Sequence, residues 1–188
     1  MPSEDRHDIV ASLFKRFVND TSRWVRLSAY EALGPLIASF GCNQQQGAVP
    51  DVLVDAFLAM RTIDGELIEC CAFNFPGVVV TLGQQGWPKL RSVYKTLCGD
   101  MQWKVRRTLA CSIHEIAKAI GPAYSEEDLL PIYRMMVIDV TEVRTSALRN
   151  LTGFLRLVPP KHAGSFVSVF TLNLFSRSSS TIIELLIP

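Results

Sequence analysis

From Val25, apolar residues follow at Ala29, Leu33, Leu36 and Phe40, and Gly41 comes next. The same offsets from Leu67 give Cys71, Phe75, Val78 and Leu82, then Gly83. From Val105 they give Leu109, Ile113, Ile116 and Ile120, then Gly121; from Val143 they give Ala147, Leu151, Phe154 and Val158, then Pro159. Steps of 4, 4, 3 and 4 keep all positions on one side of a helix, so each run predicts a helix with one apolar face. The glycine or proline after each run is a stop: glycine accepts the left-handed cap and proline cannot continue the helix. A second amphipathic stretch of about three turns precedes each run, at 9–18, 52–60, 90–97 and 129–138. These are A helices and the four runs are B helices. A further A-type stretch covers 163–175, residues 176–181 have turn composition, and 182–188 is too short for a full B helix.

The four origins stand 42, 38 and 38 residues apart. Helix pairs repeating at about 40 residues have the spacing of HEAT and armadillo arrays. The expected fold is all-α: an α-α superhelix, a HEAT-repeat solenoid of about four and a half helical pairs in a single array over 1–188. The repeats fall near 8–41, 50–83, 87–121 and 126–158, with a partial one at 160–188. Gly34-Pro35 and Pro76-Gly77 lie inside the first two B helices, where kinks or local breaks are expected. The stretch 42–49 is the longest connection and the one expected to be mobile. Residues 182–188 are apolar except for Glu184 and make a poor polar cap. That points to a fragment of a longer array or an end that docks elsewhere, a frayed tail being the alternative.

A helix pair of this size buries its apolar face only by stacking on neighbours. The product is an extended ribbon, suited to binding other macromolecules. Catalytic motifs are missing. His7, His114 and His162 stand alone, and no His-x-x-x-His or Cys-x-x-Cys spacing occurs. Cys70 and Cys71 are adjacent, so on a helix they point about 100° apart. No phosphate-binding glycine loop and no nucleophile elbow is present. The expectation is a protein that is not an enzyme, with no cofactor, no metal and no small-molecule substrate. Glu126, Glu127 and Asp128 sit at an expected helix start, where acids favour the helix dipole.

Charge narrows the partners. The 188 residues are 48% apolar and 20% charged with a net charge of +1, which gives no general attraction to nucleic acid or to an anionic membrane. No secretory signal opens the chain, and no apolar run approaches the ~20 residues that span a bilayer. Five cysteines, mostly within apolar helical stretches, fit reduced thiols in a cytoplasmic or nuclear compartment. The B helices carry more cations than anions, which fits an acidic protein partner; ordinary solvated faces are the plainer reading.

Three strings share a pattern: Asp20-Thr-Ser-Arg-Trp-Val-Arg26, Asp100-Met-Gln-Trp-Lys-Val-Arg106 and Asp139-Val-Thr-Glu-Val-Arg144. An Asp followed by Val-Arg at the opening of a B helix resembles the HEAT repeats of serine/threonine phosphatase scaffolds. The run from Trp103 to Ala117, with Leu130-Pro-Ile-Tyr and the stretch 139–157, is similar to the phosphatase 4 regulatory subunit 1 family, which is related to the scaffolding A subunit of phosphatase 2A. The resemblance implies a non-catalytic subunit whose partner is a serine/threonine phosphatase catalytic subunit. It also implies a ridge of A–B turns that contacts partners, with Arg23, Trp24, Glu66, Trp103, Lys104 and Glu142 as candidates. The tryptophans stand out because large amphipathic aromatics are frequent interface anchors; packing against the neighbouring repeat is the alternative. Asp20, Asp100 and Asp139 with Arg26, Arg106 and Arg144 are expected to link successive repeats through charge-assisted hydrogen bonds, or each Asp caps its B helix. Ile68 departs from the pattern and interrupts any such ladder. The chain is also short for such a subunit, so contacts carried by absent repeats would be lost. Two other readings remain: a HEAT adaptor for another protein, and a HEAT-like DNA glycosylase, against which the near-neutral charge speaks.

Overall fold

The computed structural model describes residues 3–41, 49–63 and 65–159. Most of the 42–49 connection, the 163–175 helix and the closing segment lie outside these. All elements among the described residues are helical. Helices α1 (Ser3–Val18) and α4 (Asp51–Ile63) are A helices. The first B helix is α2 (Arg23–Glu31) followed directly by α3 (Leu33–Gly41). Helix α5 (Glu66–Cys98) holds the second B helix and the third A helix, and α6 (Trp103–Ile120) is the third B helix. A short α7 (Pro122–Tyr124), a π-helical turn over Ser125–Leu129 and α8 (Leu130–Met136) form the fourth A segment. Helices α9 (Thr141–Arg149) and α10 (Leu151–Leu155) form the fourth B segment. The molecule is an all-α solenoid of stacked helices.

The apolar register is the core. None of its twenty positions is exposed, and all are buried except Val25, Ala29, Leu36, Leu82 and Leu151, which are half-buried. The B helices stack on one another, α3 on α5, α5 on α6 and α6 on α9, whereas successive A helices touch less. The B side is therefore the tighter side. An added Cβ on Gly34 would overlap the Asn74 side chain, so α3 meets α5 at a separation only glycine permits.

The breaks follow local chemistry. Gly83 has φ 63° and ψ −163°, a conformation that turns the second B helix into the third A helix with no loop between them. Pro76 and Gly77 do not interrupt α5, whose only non-helical backbone is at Gly83. The fully buried Phe75, Val78 and Val79 hold that turn in place around the proline. In the first B helix the break falls at Ala32, which puts Pro35 in the first turn of α3, where a missing N–H is tolerated. The fourth B helix breaks at Asn150, the same register position, and this was not expected from the sequence. There the Asn150 amide donates to the Cys111 carbonyl on α6 at 2.9 Å and to Ser146 at 3.1 Å, tying the break to the preceding B helix.

The acidic cluster differs from its reading as a dipole partner. Asp128 is buried in the π-helical turn and accepts the indole N–H of Trp87 at 2.8 Å. The Lys95 ammonium donates to its other oxygen, and Arg91 stands 3.9 Å away. These three partners lie on the third A helix, so the fourth A segment is latched to the one before it. Burial pushes the Asp128 carboxyl up, but the bonds from Lys95 and Trp87 and the nearby Arg91 together hold it below its ordinary value. By length and composition alone α5 is apolar enough to cross a membrane. Here its apolar positions pack against α3, α4 and α6, and Gly83 divides it.

Candidate protein-binding surface

The A–B turns are built alike. Asp20 and Asp100 each accept the N–H two residues on, from Ser22 and Gln102, at 2.8 Å. Asp139 accepts the Val140 N–H at 2.6 Å. None of the three is itself the N-cap; each stands one or two residues before it and shapes the entry into the helix. The arginine six residues on closes the turn from the other side. Arg26 donates to the carbonyls of Asp20 at 2.7 Å and Thr21 at 2.9 Å. Arg106 donates to those of Asp100 at 2.6 Å and Met101 at 3.1 Å. The turns are thus closed loops that present residues 23–24 and 103–104 on a fixed backbone.

Arg106 does more. Its Nε and Nη2 each lie 2.7 Å from an oxygen of Asp139, a bidentate bridge from one B helix to the next turn. Both side chains are only 17% exposed. The Arg106 hydrogen bonds hold the Asp139 carboxyl below its ordinary value against the opposing effect of burial. Arg144 instead donates to the Thr141 hydroxyl at 3.3 Å. Ile68, half-buried, offers no donor toward Asp100. Asp139→Ala is expected to lose about 1–3 kcal/mol of stability, because two charge-assisted bonds and a turn contact go together. Urea unfolding would check it, with Arg106→Ala giving a similar loss and the double variant little more than either.

The partner candidates divide. Arg23 pairs with Glu66 at 3.4 Å, joining the first two turns, and its guanidinium lies 5.9 Å from the centre of the Trp24 ring. Trp24 is 73% exposed and Trp103 38%, so neither is tucked into the core. Glu142 is exposed in the first turn of α9, the last B segment among the described residues. Trp103 and Lys104 stand with Arg107, another of the B-helix cations, and with Phe73, 76% exposed on α5, which no motif singles out. With Glu69 and Pro76 from α5 and Cys111, His114 and Glu115 from α6, they line a groove of about 670 Å³ between two B helices. Phe73 carried a signal: it stands off the apolar register, and a large aromatic there has no core to enter. Among the described residues no three His, Cys, Asp or Glu side chains gather as a metal site.

Comparison with known proteins adds a lineage to this geometry. Residues 71–172 match the family described as protein phosphatase 4 regulatory subunit 1 middle domain. Over 119 residues the chain is 46% identical to serine/threonine-protein phosphatase 4 regulatory subunit 1 of Homo sapiens, and equally to those of Mus musculus and Rattus norvegicus. The match takes in 60% of this chain and spans 12% of the length of each of these curated relatives.

Proposed function

The chain belongs to the family of the phosphatase 4 regulatory subunit 1 middle domain, and from that premise we propose that it is a non-catalytic scaffold for a serine/threonine phosphatase catalytic subunit, most simply that of phosphatase 4. In this reading it holds the catalytic subunit and governs its activity or its access to substrates. The phosphate-cleaving chemistry belongs to the partner. A cytoplasmic or nuclear setting is part of the same proposal, and Cys70, Cys71, Cys98 and Cys111 are all free thiols. The observation that carries the reading is the family match, since it covers residues 71–172 and includes the whole of α6 and α9.

The A–B ridge supports the same reading. Trp24 and Trp103 are large, amphipathic and accessible on turns whose backbone is already fixed, so little conformational entropy is lost when a partner covers them. Affinity purification of the tagged chain is expected to enrich a serine/threonine phosphatase catalytic subunit. Trp24→Ala/Trp103→Ala is expected to weaken that capture by about tenfold or more while far-ultraviolet circular dichroism stays unchanged. Recovery of a different stable partner, with no phosphatase, would move the function to another adaptor role. Salt-sensitive DNA binding would point instead to the glycosylase reading.

A further inference from the structure

We infer that the groove between the second and third B helices is a docking site for a short extended peptide carrying an acidic side chain two positions from an apolar one. The apolar half of the site is lined by Phe73 and Pro76 of α5 and Trp103 of α6. A phenylalanine 76% exposed on a helix in the middle of the chain is covered by nothing among the described residues, and it opens into the 670 Å³ groove. The polar half is Lys104 and Arg107, three residues apart on one face of α6 and both exposed. Neither forms an ion pair among the described residues.

Two hydroxyls in the groove are engaged by their own helix, whereas the buried Nδ1 of His114 has no hydrogen-bond partner among the described residues. Thr108 and Ser112 turn their hydroxyls back to carbonyls of α6. Glu115 stands 3.6 Å from His114. Glu69 and Glu115 equal Lys104 and Arg107 in number, but Glu115 lies eight residues beyond Arg107 on α6, about 12 Å away, so at the Trp103 end of the groove two cations stand against Glu69. That juxtaposition selects a ligand with one apolar and one anionic group. A neutral apolar segment leaves the cations unused, and a basic one is repelled.

Dimensions set the form of the ligand. The α6 wall from Trp103 to Glu115 spans twelve residues, about 18 Å at 1.5 Å per residue. That length accommodates roughly five or six residues of extended chain at ~3.3 Å each. Alternate side chains of an extended peptide point the same way. The groups reaching Phe73/Trp103 and Lys104/Arg107 are therefore two positions apart in the ligand. The site shares Trp103 and Lys104 with the proposed ridge, and Phe73 and Arg107 extend it away from the turn.

A random heptapeptide library displayed on phage, selected on the full chain, tests this. The expected result is a consensus pairing an apolar residue with Asp or Glu two positions away. A fluorescein-labelled consensus peptide, followed by anisotropy, should bind Phe73→Ser or Arg107→Glu about tenfold more weakly or worse. The Arg107→Glu chain should in turn accept a peptide with Lys in place of the acid. Both positions are exposed, so circular dichroism is expected to remain that of the parent. Excess peptide should also slow alkylation of Cys111, which lines the groove. Capture of the phosphatase catalytic subunit by the same two variants is measured alongside: peptide binding lost with capture retained supports a separate peptide site, and loss of both overturns it in favour of one shared surface. A library that yields no consensus, a basic consensus, or peptides that bind both variants as well as the parent would overturn the inference.

Discussion

Replacing Asp128 by alanine is expected to cost about 3 kcal/mol of folding stability, read as a lower urea midpoint with an unchanged slope. The substitution leaves the Trp87 indole N–H buried without an acceptor, a group fully enclosed in the core. An unsatisfied buried donor costs about 1–3 kcal/mol by itself. Lys95 loses its charge-assisted bond as well, but its side chain is 44% exposed and turns to water, so its share is small. Trp87→Phe removes the donor and keeps Asp128 paired with Lys95, so it should cost less. The double variant should recover part of the alanine loss, because the stranded donor is then gone.

The same carboxylate governs acid sensitivity. Asp128 and Asp139 are both held below the ordinary carboxylate value in the folded chain. A depressed folded value contributes stability that is present above the unfolded-state value of about 3.9 and is lost as pH falls through the folded one. Unfolding titrations should therefore show stability falling on the acid side of ~pH 4. Asp128→Asn, which keeps an acceptor for Trp87, should flatten that limb. An acid limb as steep as the parent's would remove Asp128 from its cause.

Ile113→Ala is expected to cost about 2–5 kcal/mol, while Leu151→Ala, its register equivalent on the last B helix, costs less. Ile113 is wholly buried in α6, with neighbouring B helices on both sides. Leu151 is half-buried where the fourth B helix resumes after its break. Each element of a solenoid is stabilised by its two neighbours, so equivalent positions differ according to what stacks beside them. Thermal and urea unfolding of the two variants would check this. Equal losses would mean that burial at the register positions does not set their contribution.

The B-helix faces were legible in the sequence because one physical requirement, burial of a stripe at helical spacing, acts on every repeat alike. Gly83 and Gly121 were legible as stops because positive φ favours a residue without a side chain, and both adopt it. Other features rest on distant neighbours. Glu126-Glu127-Asp128 has the composition of a helix start, and only the indole of Trp87, 41 residues away, makes Asp128 a buried latch. The break at Asn150 depends on the Cys111 carbonyl across the stack. Pro76 looked like a breaker, yet the buried residues around it keep the helix whole. At the candidate surface, Trp103 and Lys104 could be named from their turn. Arg107 follows one turn later on the same helix, but their meeting with Phe73 required knowing which helix lies beside which.

The loopless joint at Gly83 bears on how such chains can diverge. A residue gained or lost within an exposed turn shifts only that turn. One gained or lost beside Gly83 would rotate the following helix by about 100°, with no slack to absorb it. Trp87, Leu90, Tyr94 and Leu97 would then leave the core together, and the latch to Asp128 would part. Length variation among descendants of this sequence should accumulate in the other connections and be purged here, so the stretch around Gly83 is a fixed ruler against which distant members can be aligned.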